Sequence, residues 1–323
     1  MRRLRWDPTR AITNRLDLTR MSDINPPVET VPLVSVIVPC RNSEATIRRC
    51  LTALINQATS IPFDITVVDS STDQTPQIVN EEFPTVKLIH FDTRTYAGAA
   101  RNAGTKSTRS TYCMMVDSDC VAEPDLIERA VARHGEDRYA AVGGSLANGT
   151  PDSFSGWLGY LIEFREFMPS SPTRIEKSIP TANLTYRREI LERYGYFDED
   201  LWPAEDLLFN WKVSSAGERF LFDPEMKVTH LNRTGWSNVL KYQVDLGRTS
   251  AMARRRSDLP GSILLKYPPL VLLMPFVRTW NGLVWFVKHD RKTLLPFLLV
   301  WPIYLFAAVF WSYGFMSEGR QRR

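Results

Sequence analysis

Residues 34–57 read VSVIVPCRNSEATIRRCLTALINQ, and this stretch decides the fold. Val34 to Val38 form a short β-branched run, as expected of a strand buried on both faces of a parallel sheet. Behind it Ile47, Leu51, Leu54 and Ile55 recur at helical spacing, so a helix is predicted over 43–57, with Asn42 or Ser43 as its cap. Working outward, strands at 65–68, 86–89 and 112–116 alternate with helices at 77–82 and 99–106, and Pro124-Asp125 opens another helix. This succession implies a parallel sheet wrapped by helices. Beyond Gly143 the rhythm breaks. Residues 150–180 are polar and aromatic with Pro and Ser clusters, and are read as a substrate-facing loop region. A helix at 205–216, stopped by Gly217, and strands at 220–222 and 226–230 complete the pattern.

Of 323 residues, 44% are hydrophobic and 24% charged, which excludes global disorder. The net charge of +4 is unevenly spread. Arg2, Arg3, Arg5, Arg10, Arg15 and Arg20 mark a basic arm at 1–31, and further clusters lie at 254–256 and 320–323. Such clusters are solvated faces or contacts to anionic headgroups, the latter favoured where they flank an apolar tail. Without interleaved aromatic residues they do not read as a nucleic-acid surface. Cys40, Cys50, Cys113 and Cys120 have no metal-ligand spacing and read as reduced thiols of a cytosolic compartment. The arginines of the arm precede no apolar signal region, so the catalytic part is expected to stay cytoplasmic.

The tail at 294–315, LLPFLLVWPIYLFAAVFWSYGF, carries no charge and is long enough to span a bilayer at about 1.5 Å per residue. A second candidate, 263–287, contains Lys266, Pro268, Pro269, Pro275 and Arg278 and reads as an irregular span or an interfacial segment. Two spans would place both basic flanks in the cytoplasm and the short basic loop 288–292 outside.

In an open α/β sheet, ligands bind beyond the carboxyl ends of the strands. Those ends here carry Pro39-Cys40-Arg41-Asn42, Asp69-Ser70-Ser71 and Asp117-Ser118-Asp119. Two carboxylates on one turn suit a hard divalent ion, Mg²⁺ or Mn²⁺. Glu205-Asp206 is a second acidic pair at a helix start, and His230 closes the last strand. Each alone is as easily a turn, a cap or a packed side chain.

Together and in order, residues 34–248 resemble family 2 of the nucleotide-sugar glycosyltransferases, which have the GT-A fold. The resemblance rests on VSVIVPCRNSEATIRRCLTALINQ, ITVVDSSTDQT, GAARNAG, MVDSDC, FDEDLWPAEDLLFNWKVSSAG and VTH, over two thirds of the chain. It implies a GT-A domain at 32–250 between the arm and a C-terminal segment, 251–323, of basic linker and one or two membrane helices. Pro39, Arg41, Asn42 and Asp69 would bind the nucleoside, Arg101 and Asn102 would lie beside it, the arginine toward the diphosphate, Asp117 and Asp119 with His230 would serve the metal, and Asp206 beside Glu205 would be the base. The stretch YQVDLGR, 242–248, matches a later acceptor-side segment faintly. Arg41 stands where the family often has tyrosine, and Ser70 where it has a second aspartate. No QxxRW motif follows the domain, which points away from a processive polymerase.

The expected activity is inverting transfer of one sugar from a nucleoside-diphosphate sugar, a UDP-sugar first, to a hydroxyl of a lipid-linked or cell-surface glycan precursor. Two alternatives stand beside it: transfer to a polyprenyl phosphate, and an inactive membrane scaffold of the same fold. A nucleotidyltransferase would need a glycine-rich loop after the first strand, and residues 39–44 contain no glycine.

Overall fold

The computed structural model describes residues 31–320; the arm expected at 1–31, Val31 apart, and the basic residues 321–323 lie outside them. β1 (Val34–Cys40) is buried at every position, as its composition requires. In chain order follow α1 (Ile47–Ile55), β2 (Phe63–Asp69), α2 (Thr75–Glu82), β3 (Lys87–His90), α3 (Ala97–Lys106), β4 (Tyr112–Val116), β5 (Cys120–Ala122), α4 (Leu126–Glu136), β6 (Ala141–Asn148), α5 (Phe154–Phe164), β7 (Arg174–Glu176), β8 (Asn183–Arg187), α6 (Arg188–Tyr194), α7 (Glu205–Ser215), β9 (Phe220–His230), α8 (Trp236–Arg256), α9 (Ile263–Lys266), α10 (Met274–His289) and α11 (Arg291–Arg320).

The sheet runs β3-β2-β1-β4-β8-β6-β9-β5, with β7 on β9. β3, β2, β1 and β4 are parallel, as read from the sequence. β8 then enters antiparallel between β4 and β6, pairing Cys113 with Tyr186 and Val142 with Thr185. The sheet is therefore mixed. The two strands expected at 220–222 and 226–230 are one, β9, whose register against β6 shifts between Gly144 and Ser145. Alternate residues of β1 serve two cores. Val34, Val36 and Val38 pack with Ile47, Leu51 and Leu54 of α1, while Ile37 packs with Met115, Leu184 and Tyr186 on the other face. At α3, Gly104 lets the helix approach the sheet, for a Cβ there would stand 2.5 Å from Ile37.

Two expectations fail locally. α1 begins at Ile47, not at residue 43, because the Asn42 and Ser43 amides donate to Ser71 Oγ (2.7 Å) and Thr75 Oγ1 (3.0 Å) and tie this turn to the end of β2. Residues 150–180 are not simply a loop. Ser153 caps α5, accepting from the Gly156 amide at 3.1 Å, and Leu158, Leu161 and Ile162 are buried in the core shared with α11.

Two helical stretches, Pro268–His289 and Arg291–Glu318, are long and apolar enough to cross a membrane, the first opening in a 3-10 segment at Pro268–Leu273. α11 is fastened to α8 at a glycine crossing: a Cβ on Gly247 would lie 2.0 Å from the Trp311 carbonyl, and one on Gly314 2.0 Å from that of Val244. Small residues that let backbones touch are a common way of joining apolar helices. α8 runs unbroken through 250–251, so the boundary expected there falls within a helix and the chain leaves it at Ser257.

Candidate active site

A cleft of about 1100 Å³ opens at the carboxyl ends of β1 and β4. Its lining contains Pro39, Arg41, Asn42, Arg101, Asp117, Asp119, Glu205, Asp206 and His230, which are far apart in sequence. Asp69 and Asn102, also expected here, do not line it. Asp69 is fully buried, bonded to the Ser71 hydroxyl, the Ser71 amide (3.1 Å) and His90 Nδ1 (2.6 Å). It braces the turn behind the cleft. Asn102 clamps the segment before α7, donating to Phe197 O and Glu199 at 2.9 Å and accepting from Phe197 N at 3.0 Å.

Arg101 is 3% exposed and joins two acids, Glu205 at 2.5 Å and Asp117 at 2.8 Å. Its fork is spent on protein carboxylates, and it does not point freely toward a diphosphate. Burial pushes Glu205 up to about 7 against the pull of Arg101. Asp206 is differently placed. Its Oδ2 accepts from the Thr181 amide (3.3 Å) and hydroxyl (3.2 Å), and it faces the cleft with no ion-pair partner among the described residues. α7 starts here from Ala204, whose φ of 102° is a left-handed conformation that a non-glycine residue adopts at a cost of about 1–3 kcal/mol. The turn thus holds Glu205 inward and Asp206 outward.

His230 Nε2 lies 3.4 Å from Asp119 Oδ1. The Asn232 amide donates to Asn148 Oδ1 (2.8 Å) and Thr150 Oγ1 (3.0 Å), which leaves its oxygen for His230 Nδ1 at 3.0 Å. That oxygen only accepts, so Nδ1 carries a proton and Nε2 is the nitrogen turned toward the carboxylate. Asp119 and His230 thus set an oxygen and a nitrogen of metal-ligand type side by side. Cys120 Sγ completes a group within 4.8 Å, yet burial keeps its thiol well above the ordinary range, which makes it a poor donor to a hard ion. Burial also raises Asp119, opposed by His230.

Tyr242 apart, the far wall holds residues that the sequence reading did not name. Tyr96 and Trp202 stack at 5.9 Å with the Arg94 guanidinium over Tyr96 at 4.7 Å, and Arg233 lies 4.0 Å over Tyr242 beside Glu163 (3.8 Å). Of the faint 242–248 match, Tyr242 lines the cleft, whereas Arg248 pairs with Asp245 at 3.7 Å.

Residues 35–195 match the model of glycosyl transferase family 2. The succinoglycan biosynthesis protein ExoO of Rhizobium meliloti is 30% identical over 68% of this chain and 66% of its own length, so about a third of that protein lies outside the match. The fold is shared with the mannosyltransferase PcManGT of Pyrobaculum calidifontis, solved with GDP-Man and Mn²⁺ (20% identity, 91% of this chain and 88% of that one, TM-score 0.60). It is also shared with TarS of S. aureus, solved with UDP-GlcNAc (22% identity, 88% and 90%, TM-score 0.51). The motifs read from the sequence and the matches to the whole domain agree, and the chain belongs to glycosyl transferase family 2 through a catalytic domain of GT-A fold.

Proposed function

We propose that this glycosyltransferase moves a single sugar from a nucleoside-diphosphate sugar, a UDP-sugar first, to a hydroxyl of a lipid-linked or cell-surface glycan precursor, with inversion at the anomeric carbon. The observation that carries this reading is the division of labour between adjacent acids: Glu205 is locked on Arg101, while Asp206 stands open in the same cleft as Asp119 and His230. Asp206 takes the proton of the acceptor hydroxyl as that oxygen attacks, and a single displacement from the opposite face inverts the centre. Pro39, Arg41 and Asn42 wall the nucleotide end. Arg41 offers a planar cation to stack on a base.

The donor set suits a divalent cation, Mn²⁺ or Mg²⁺, because Asp119 Oδ1 and His230 Nε2 stand 3.4 Å apart in a cleft that Asp117 also lines. Asp119 and His230 would hold it, and its chemistry when bound is to neutralise charge on the departing diphosphate. Solved neighbours hold GDP-Man with Mn²⁺ and UDP-GlcNAc, so a donor panel must cover both bases. The chain is organised as a basic arm, a cytoplasmic catalytic domain and a membrane segment that begins after α8. The test is Asp206→Asn, which abolishes transfer while donor binding stays within about twofold; normal turnover in that variant refutes the role given to Asp206.

A further inference from the structure

The cleft continues past Asp206 to a wall that the membrane segment itself builds, with Ser250 of α8, Arg278 of α10 and Trp311 of α11 in its lining. Arg278 lies over the Trp311 ring, 4.9 Å from its centroid, and no carboxylate among the described residues forms an ion pair with it. Arg254 behaves alike. It donates to Ser250 Oγ (2.5 Å) and to the Pro260 carbonyl (2.9 Å), and has no acidic partner among the described residues. Its neighbours in the same basic run differ, since Arg255 pairs with Glu318 at 3.0 Å and Arg256 pairs with Asp198. Burial and the nearby Arg278 depress the Arg254 guanidinium below its ordinary value. A second cavity of about 410 Å³ places Arg254 and Asp206 in one lining.

A guanidinium in the cleft wall with no ion-pair partner among the described residues calls for an anion, and its fork suits phosphate. The surroundings specify the rest of the molecule. Around Arg278 on α10, Phe276 and Trp280 are about two-thirds exposed (64% and 65%), and Val277 is exposed too. An anion that arrives here comes along an apolar face. We propose that Arg278 binds the phosphate of an acceptor carried on a lipid, so that the acceptor enters from the membrane side and presents its hydroxyl to Asp206. The identity of that hydroxyl's partner rests on the function proposed above; the anion site does not.

The test uses the full chain in neutral detergent, with farnesyl phosphate and farnesol as probes and UDP and GDP as independent reporters of the donor end. Wild type is expected to bind farnesyl phosphate at least about tenfold more tightly than farnesol, as one charge-assisted contact implies. Arg278→Gln should cut that preference to about threefold or less, Arg278→Lys should keep most of it, and nucleotide binding should not change. A wild type without preference for the phosphate overturns the proposal, as does Arg278→Gln with the preference intact. Equal loss for farnesol also overturns it, because the arginine then serves packing alone. Weakening only in vesicles with anionic lipid would assign Arg278 to the bilayer headgroups and refute an acceptor site. Failure of both nucleotides to bind wild type would refute the donor reading and leave the phosphate comparison standing.

Discussion

Replacing Arg101 by Met separates two accounts of the most buried cation in the cleft. Sequence likeness places Arg101 toward the donor diphosphate, whereas its observed partners are Glu205 and Asp117. Asp117 is 31% exposed and can recruit water when the arginine goes, but Glu205, at 4% exposure, cannot. Left alone, Glu205 will take a proton. Its carboxyl already sits at about 7 against an ordinary 4.5, and Arg101 is the strongest attraction holding it down against burial. Wild type itself takes this proton below about 7, so the deficit of the variant opens above that pH, by about 1.4 kcal/mol for each pH unit until the raised value of the variant is reached.

Linkage gives the direction. The folded variant keeps a proton that folded wild type sheds above about 7, so the variant falls further behind wild type as pH rises from there and the gap closes on acidification. Thermal unfolding in detergent should show Arg101→Met lowered by roughly 4–8 °C relative to wild type near pH 8.5, with the deficit much smaller near pH 6. The double variant Arg101→Met/Glu205→Gln should regain most of the loss, as expected when both members of a buried pair are removed together. A pH-independent deficit, an additive double variant, or a raised donor KM at unchanged stability would refute this and return Arg101 to the diphosphate.

Asp119→Ala should lose Mn²⁺ binding by at least about tenfold, measured by isothermal titration without donor, while Cys120→Ser should leave it within about threefold. Gly314→Ala or Gly247→Ala, each placing a Cβ 2.0 Å from a carbonyl of the facing helix, should part α8 from α11 and lower the unfolding midpoint by several degrees; unchanged midpoints would show that the crossing is loose. His134, stacked on Tyr112 and donating to Thr185 O at 3.1 Å, is held down to about 4 by burial. Its folded pKa lies below the ordinary 6.5, so its contribution is intact above 6.5 and is lost as pH falls from there toward 4. The stability difference between pH 7 and pH 5 should therefore be smaller in His134→Gln, and an equal difference would count against the assignment.

How far the sequence could be read depended on burial. β1 declares itself because every residue is buried and the composition says so. α5 hides because sheet and α11 cover it on several faces, which removes the periodic stripe that marks a half-exposed helix, and its glycines read as loop. β6 hides behind Gly143, Gly144 and Ser145, which are there for β9: a Cβ on Gly144 would stand 1.8 Å from the Met226 carbonyl. The acids of the cleft were legible as types and positions. Their orientations were not. Asp69 and Asn102 sit where likeness puts them along the chain, yet point into braces behind the cleft.

The apolar tail changes meaning in this light. Read as a sequence it is an anchor, separable from a catalytic domain that ends near residue 250. In the fold, Trp311 and Arg278 are part of the cleft wall, Ser312 donates to Val271 O at 3.1 Å, and α11 touches α8 backbone to backbone. The helix that carries Tyr242, Asp245 and Ser250 into the cleft is thus positioned from behind by the segment that holds the two candidate membrane spans. Cutting the chain after Ser257 to obtain a soluble enzyme would remove two wall residues and uncover the buried face of α8. A low activity in such a fragment would report a broken acceptor site before it reported anything about the need for lipid.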